Sequence, residues 1–93
     1  MTKNYRIRVS GQVQGVFFRA STKEIADQLG LVGFAENLPE GDVYIEAQGD
    51  EVALQKFVEW CHRGPSRAEV TNVEVEESQL TGYRSFEVKR GWF

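Results

Sequence analysis

The sequence predicts an α+β fold of the split βαβ type, in which two helices cover one face of an antiparallel sheet of four to five strands. Some stretches alternate apolar and polar residues with the period of half-buried strands, and two others repeat apolar residues at helical spacing. They follow one another in the order β-α-β-β-α-β, with an extra strand at the end. Ninety-three residues suffice for one hydrophobic core, so we expect a single domain over residues 1–93.

The first strand and the first helix are predicted from residues 5–30. Tyr5, Ile7 and Val9 alternate with polar residues, which is the pattern of a strand with one buried face. The helix that follows has one stripe of apolar or small residues at helical spacing. This stripe consists of Phe18, Thr22, Ile25, Ala26 and Leu29. Gly30 is placed to end the helix in a left-handed cap.

The second and third strands are predicted to form a hairpin. Residues 31–38 indicate a strand, but their apolar positions do not alternate cleanly, so the pattern leaves the buried face of this strand undecided. Pro39, Glu40 and Gly41 carry the chemistry of a turn. The apolar positions of the third strand are Val43, Ile45 and Ala47.

The second helix is predicted to begin at an N-cap and to end at a glycine. Asp50 suits the N-cap, because its carboxylate can accept a hydrogen bond from a free amide of the first turn. The apolar stripe of this helix consists of Leu54, Phe57, Val58 and Cys61. Gly64 and Pro65 then end the helix.

Two further strands complete the predicted sheet. The fourth strand is marked by Val70, Val73 and Val75. Its alternation slips by one residue between positions 70 and 73, which predicts an irregularity such as a β-bulge. Phe86 and Val88 indicate a last, short strand near the end of the chain.

Charge and cysteine content exclude several classes of protein. The net charge is −3 and the pI is about 5.1, which argues against a partner such as nucleic acid or an acidic membrane. A single cysteine excludes an internal disulfide and a cysteine-rich metal site. The sequence contains no recognisable signal peptide or membrane-spanning run, so we expect a cytoplasmic protein. A monomer is the simplest expectation for a chain of this size.

The run GQVQGVFFR, from Gly11 to Arg19, joins the first strand to the first helix. Turns at Gly11 and Gly15 let successive backbone N–H groups converge, and the first helical turn adds unpaired donors and a partial positive charge. Such a concavity accepts a phosphate or a carboxylate, and Arg19 adds a forked cation that can hold two oxygens of one phosphate. The spacing alone also suits glycines with a purely steric role and an arginine that is merely exposed to solvent.

The full string GQVQGVFFR resembles the signature of the acylphosphatase family, small enzymes that hydrolyse acyl phosphates. Residues 33–43, in which Asn37 precedes a glycine turn, are similar to the second block of that family. Residues 64–70 and 83–90 also agree with it, so that the resemblance covers nearly the whole chain. It implies the ferredoxin-like fold of this family, which agrees with the predicted order of helices and strands.

The resemblance also implies roles for individual residues. Arg19 and a set of backbone amides would bind the phosphoryl group. These amides belong to Gln14, Gly15, Val16, Phe17 and Phe18. Asn37 matches the asparagine that orients the attacking water in the family, whereas Leu38 departs from the small hydroxylated residue that several acylphosphatases have at the next position. Neither a metal ion nor an organic cofactor is implied, and the expected partner is a small acyl phosphate.

The residues near the loop favour an activated substrate. His62 is the only histidine and follows the apolar stripe of the second helix, and no cysteine or serine near the loop has an obvious base beside it. Phosphoryl transfer to water can proceed without such groups, because its loose transition state needs mainly positioning and charge stabilisation. A good leaving group is still required. An acyl phosphate, for example, expels a carboxylate that is already a stable anion. An arginine without a general acid therefore indicates an activated substrate.

Two other classes of protein stay open. A ferredoxin-like RNA reader needs aromatic platforms on the open face of the sheet, where strands one and three offer only Tyr44. A non-catalytic phosphate- or anion-binding regulatory module would keep the loop and turn nothing over, but it would not need Asn37 as a water-positioning amide. The sequence determines neither the physiological acyl phosphate nor the role of the C-terminal residues Gly91, Trp92 and Phe93.

Overall fold

The structure is a computed structural model that describes residues 1–89. The elements of this part of the chain are β1 (Thr2–Gln12), α1 (Phe18–Gln28), β2 (Val32–Asn37), β3 (Val43–Asp50), α2 (Glu51–Arg63), β4 (Glu69–Ser78) and β5 (Phe86–Val88). The predicted fold class and the predicted order of elements are confirmed. The C-terminal tail, residues 91–93, lies outside the described residues.

The strands of the described chain form one five-stranded sheet in the order β4-β1-β3-β2-β5. The first four strands pair antiparallel, as predicted, whereas β5 pairs parallel to β2, which makes the sheet mixed. The path of the chain explains this difference. β4 ends at the end of the sheet where β2 begins, and residues 79–85 cross the sheet there, so β5 starts beside the start of β2 and runs in the same direction.

The hydrophobic core lies between the two helices and one face of the sheet. Ile7 of β1 pairs with Ile45 of β3, and Val9 pairs with Val43, and all four are fully buried. The helices contribute Phe18, Thr22, Ala26, Leu54, Phe57 and Cys61. The remaining residues of the two predicted stripes are partly buried against this core. Both apolar stripes predicted from the helical spacing are therefore confirmed.

β2 turns its small residues toward the core. Gly33 and Ala35 are buried, whereas the ring of Phe34 lies on the opposite face of the sheet, with its centroid 5.9 Å from that of Tyr44 and 6.1 Å from that of Tyr83. The small side chains leave room for α1, which packs directly on β2. The structure thus decides which face of this strand is buried, where the alternation in the sequence did not.

The ends of both helices have the local chemistry that the sequence predicts. Gly30 follows α1 with a φ of 71°, the left-handed conformation that glycine adopts without steric cost. Asp50 precedes α2, and its carboxylate accepts a hydrogen bond of 3.0 Å from the amide of Val52. The amide of Gly64 donates to the carbonyl of Trp60 at 2.7 Å where α2 ends. These contacts confirm the predicted N-cap and both predicted helix ends.

The predicted irregularity of the fourth strand lies beside the end of β1. Ser10 pairs with Asn72, but the next residue, Gly11, pairs with Val70, so Thr71 is an extra residue in β4. A side chain at Gly11 does not fit, because a Cβ there would overlap the backbone of β4. The slip between residues 70 and 73 is therefore a real bulge, and it lies beside the point where β1 passes into the loop.

Gly33→Ala is expected to lower the free energy of unfolding by about 3 kcal/mol or more. A Cβ at this position would overlap the carbonyl oxygen of Glu46, which belongs to the β3 backbone, and Gly33 has a φ of 139°. Chemical denaturation of the purified variant measures the change. Gly82→Ala is the matched control, because its Cβ would meet nothing within 4 Å and the change should stay within about 0.5 kcal/mol. Equal stability of the two variants would contradict the described spacing of β2 and β3.

Candidate active site

The loop between β1 and α1 contains two residues in the left-handed region. Gly15 has a φ of 75°, and Phe17, the N-cap residue of α1, has φ 63° and ψ 25°. Left-handed residues within a tight turn direct successive N–H groups toward one concave side of the backbone. This conformation is strained for phenylalanine, and such strain is concentrated at functional sites. Two left-handed residues in one short loop are the backbone pattern that an anion-binding concavity requires.

The N–H groups of this loop are free to bind a ligand. No amide from residue 14 to residue 20 donates a hydrogen bond within the described chain. The N-cap, Phe17, cannot satisfy the first turn of α1 with its side chain, as a serine, threonine or aspartate would. These unpaired donors and the positive end of the helix dipole together favour an anion at this point.

Phe18 holds the start of α1 in place. Its side chain is 2% exposed, and the centroid of its ring lies 5.4 Å from that of Trp60 in α2. Gly64, at the end of α2, packs against the same ring, since a Cβ there would come within 2.8 Å of its Cε2 atom. The side chain of Phe18 is therefore structural, and its anchoring in the core determines where the next residue, Arg19, emerges from the helix.

The side chain of Arg19 is held by the residue that follows β5. Its Nη1 atom donates a hydrogen bond to the carbonyl of Lys89, the residue after β5. The amide of Lys89 donates in turn to the carbonyl of Ala35 in β2 at 2.9 Å. The guanidinium is thereby tied to β2 two residues before Asn37. A guanidinium has five N–H donors, so most of them are left for a ligand.

Asn37 is the last residue of β2 and pairs with Val43 of β3. Its Oδ1 atom is buried and accepts no hydrogen bond from any residue between positions 1 and 89. A buried acceptor without a donor costs about 1 to 3 kcal/mol of stability. An amide kept in this state is suited to bind a water molecule or a ligand donor, because its oxygen accepts while its NH2 group donates.

Arg19, Asn37 and the loop line one cavity of about 270 Å³. Its walls consist of Val13, Gly15, Phe17, Phe18, Arg19, Ala20, Asn37 and Val88. The structure therefore brings together most of the residues that the sequence singles out. Two of them, Gln14 and Val16, do not line this cavity, because the side chain of Gln14 contacts the β2–β3 turn and that of Val16 packs partly buried against the core.

Three residues of the cavity wall were not predicted from the sequence. Val13 and Ala20 flank the loop, and Val88 comes from β5, with 38% of its surface exposed. Phe17, which also lines the cavity, is 72% exposed, so the wall includes an aromatic and an aliphatic side chain that are both accessible to solvent. The sequence could not indicate that Val88 lines the cavity, because a valine is ordinary in a strand and its position depends on the parallel pairing of β5 with β2.

A larger cavity of about 440 Å³ lies on the open face of the sheet and is less suited to an anion. Two arginines there face two glutamates. Arg6 lies 3.6 Å from Glu76, and Arg8 pairs with Asp42 at 2.6 Å, so both cations are already compensated. The cavity beside Arg19 and the loop with unpaired amides is therefore the better candidate for an anion-binding site, although its volume is smaller.

The aromatic residues of the open face do not form an RNA-binding platform. The sequence indicated only Tyr44 there, but Phe34 and Tyr83 pack against one another beside it. The hydroxyls of both tyrosines donate to Glu46, and burial together with this carboxylate raises the pKa of each tyrosine to about 12. Residues 79–85 cross the same face. The rings are thus engaged with one another and with Glu46 and are not splayed open for bases.

Other kinds of site find little support in the described residues. Between positions 1 and 89, no three His, Cys, Asp or Glu side chains are grouped so as to hold a metal ion. His62 is exposed in the last turn of α2, and Cys61 is buried in the core. Neither helix of this part of the chain is long and apolar enough to cross a membrane.

Fold and site together define a class of protein: a small α+β domain in which a loop with unpaired amides and an arginine border one cavity. Within this class, the chain belongs to the acylphosphatase family, whose family model matches residues 5–88. It is 51% identical over 89 residues to an acylphosphatase of Rubrobacter xylanophilus, which covers 95% of this chain and 81% of that protein. The resemblance of the loop string and of residues 33–43 to this family is confirmed.

Solved structures agree with this assignment. An acylphosphatase from Coxiella burnetii superposes with a TM-score of 0.92 at 40% identity, covering 95% of this chain and 93% of that chain. The fold also occurs inside a much larger protein. The structure of HypF from T. kodakarensis matches with a TM-score of 0.82 at 32% identity, over 94% of this chain but only 12% of that chain.

Proposed function

We propose that the single domain predicted over residues 1–93 is an acylphosphatase, a hydrolase that splits acyl phosphates into a carboxylate and inorganic phosphate. The observation that carries the proposal is the cavity in which Arg19 and Asn37 meet the unpaired amides of the loop. Membership of the family and the names of similar proteins support the same activity. We further propose that the protein acts as a cytoplasmic monomer on a small-molecule substrate.

In the first step, the loop binds the phosphoryl group of the substrate. The amides of Gly15, Phe17 and Phe18, which line the cavity, donate to its oxygens, and those of Gln14 and Val16 are the further unpaired donors of the same loop. Arg19 donates to the same group through N–H groups that the carbonyl of Lys89 does not use. Charge-assisted hydrogen bonds of this kind become stronger as negative charge accumulates on the oxygens during bond cleavage. Binding and transition-state stabilisation therefore use the same donors.

In the second step, a water molecule attacks the phosphorus atom. Asn37 accepts a hydrogen bond from this water through its otherwise unpartnered Oδ1 atom and orients it opposite the leaving carboxylate. The bond from phosphorus to the bridging oxygen breaks, and its electron pair leaves with the carboxylate. The new inorganic phosphate takes up the oxygen and both protons of the water. A charged base is not needed, because a loose transition state requires little activation of the nucleophile.

The residues that line the cavity favour an activated substrate and not an ordinary phosphate ester. Among the described residues that line it, Arg19 alone has an ionisable side chain. A phosphate monoester with an alkoxide leaving group needs a general acid or a metal ion to neutralise that group. A carboxylate leaving group needs neither. We therefore expect activity without added metal ions and without an organic cofactor.

The proposal is tested by hydrolysis of benzoyl phosphate and of p-nitrophenyl phosphate, each in the presence of a metal chelator. We expect rapid cleavage of benzoyl phosphate and little or none of the ester. Comparable cleavage of both substrates would indicate a general phosphatase. Loss of benzoyl phosphate cleavage on adding the chelator would contradict the metal-independent mechanism.

A non-catalytic phosphate- or anion-binding regulatory module is the alternative function. One observation favours it, namely the match to a short part of HypF, in which the same fold is one region of a far larger chain. The unpartnered oxygen of Asn37 argues for catalysis, since binding a phosphate group requires donors and not an additional acceptor. If benzoyl phosphate is not cleaved while inorganic phosphate raises the melting temperature, the alternative is correct.

A further inference from the structure

Gln14 lies in the loop, yet its side chain points away from the cavity to the turn between β2 and β3. Its Nε2 atom donates to the carbonyl of Leu38 at 2.8 Å and to the carbonyl of Asp42 at 2.9 Å. Each of these carbonyls also accepts a backbone hydrogen bond within the turn, from Gly41 and from Leu38 respectively. The two protons of one side-chain amide thus occupy the remaining acceptor positions at both ends of the turn.

We propose that Gln14 is a positioning residue that sets the distance between the phosphate-binding loop and Asn37. The inference rests on the proposed function of these two parts of the site. Gln14 directly precedes Gly15, and Leu38 directly follows Asn37, so a single side chain joins the immediate neighbours of both. The mechanism needs this distance to be constant, because the water on Asn37 must point at a phosphorus atom held by the loop.

Other contacts of the turn do not replace this one. Arg8 binds the side chain of Asp42 at 2.6 Å and approaches Glu40 at 3.6 Å, which holds the far side of the turn to β1. Within the described chain, the hydrogen bonds of Gln14 are the ones that join the phosphate-binding loop itself to this turn. Arg8 therefore restrains the turn relative to the sheet, whereas Gln14 restrains it relative to the bound substrate.

The kinetics of Gln14→Met test the inference. Methionine has a similar length and no donor, and the substitution leaves the backbone amide of residue 14 in place. We expect kcat for benzoyl phosphate to fall about 10-fold to 100-fold, because small misplacements of reacting groups have effects of this size. The inhibition constant of inorganic phosphate should change less than about three-fold, because the loop amides and Arg19 still bind it.

Gln12→Met is the matched control. Gln12 is exposed at the end of β1, two residues before Gln14, and we expect neither kcat nor phosphate inhibition to change.

Gln14→Glu should lower kcat further than Gln14→Met does at neutral pH, because its carboxylate would face the carbonyl oxygens of Leu38 and Asp42. A kcat of Gln14→Met within two-fold of wild type would overturn the proposal. An equal loss of kcat and of phosphate affinity would also overturn it, since Gln14 would then only maintain the loop.

Failure of the proposed function is distinguishable from failure of this inference. If the wild-type protein does not cleave benzoyl phosphate, the coupling is measured by hydrogen exchange at the amides of Leu38 and Gly41, which bond within the turn. These amides should exchange faster in Gln14→Met than in the wild type and in Gln12→Met. Unchanged exchange rates would show that Gln14 does not hold the turn.

Discussion

Arg19→Ala is expected to lower kcat/KM for benzoyl phosphate by about 10³-fold or more. Removal of one donor aimed at developing charge costs about 3 to 4 kcal/mol, and an arginine on a transferring phosphoryl group contributes at least that much. The fold should persist, because this side chain is only half-buried and makes its hydrogen bond to the carbonyl of Lys89 at the surface. Steady-state kinetics and a melting curve measured on the same preparation test both statements.

Two further variants separate charge from geometry at this position. Arg19→Lys keeps a positive charge but cannot bind two phosphate oxygens in a fork, so it should recover only a small part of the lost activity. Arg84→Ala serves as the control, because Arg84 is exposed in the connection that crosses the opposite end of the sheet. Its activity should equal that of wild type. An Arg19→Ala protein with more than a tenth of wild-type kcat/KM would contradict the proposed mechanism.

Asn37→Ala is expected to lower kcat by about 10²-fold while inhibition by inorganic phosphate changes little. The amide orients the nucleophile, so its loss affects the reaction geometry more than the binding of the phosphoryl group. The substitution should not destabilise the protein, as the truncation of a core side chain usually does. Removal of a buried oxygen without a described partner leaves the free energy of unfolding unchanged or raises it by up to about 1 kcal/mol.

Asn37→Asp and Asn72→Ala complete this second test. Aspartate keeps an acceptor for the water but adds a negative charge beside the phosphoryl group, so both kcat and phosphate affinity should fall. Asn72 is exposed on β4, and its replacement by alanine should leave the kinetics unchanged. If Asn37→Ala instead loses stability and phosphate affinity together, Asn37 is a structural residue of the turn and not a water-positioning one.

Much of the fold could be predicted because its signals are local. Alternation, helical spacing, the Asp50 cap and the slip near Thr71 all depend on neighbours in the sequence, and the structure confirms them. The buried face of β2 could not be predicted, since the core uses Gly33 and Ala35 there and leaves Phe34 on the other face. The parallel direction of β5 depends on where the connection after β4 crosses the sheet, which no local pattern reports.

The candidate site also has parts that the sequence predicts and parts that it does not. The loop string and Asn37 could be identified because the family resemblance covers continuous segments of sequence. The side-chain contact of Gln14 with the β2–β3 turn and the carbonyl of Lys89 beside Arg19 are contacts between distant segments, which leave no signal in residue type or spacing. The left-handed conformation of Phe17 could not be predicted either, because a positive φ is expected of glycine or asparagine and not of phenylalanine.

The burial of Cys61 in the core gives the protein a built-in probe of its own unfolding. This thiol is the one cysteine of the chain, it is fully buried, and burial raises its pKa to about 12. Alkylating and disulfide reagents react with accessible thiolate, so labelling of the native protein must wait until the core opens. The labelling rate at neutral pH then reports the opening free energy of the core without any added chromophore. The same reagent therefore distinguishes an inactive variant that is folded from one that has lost its structure.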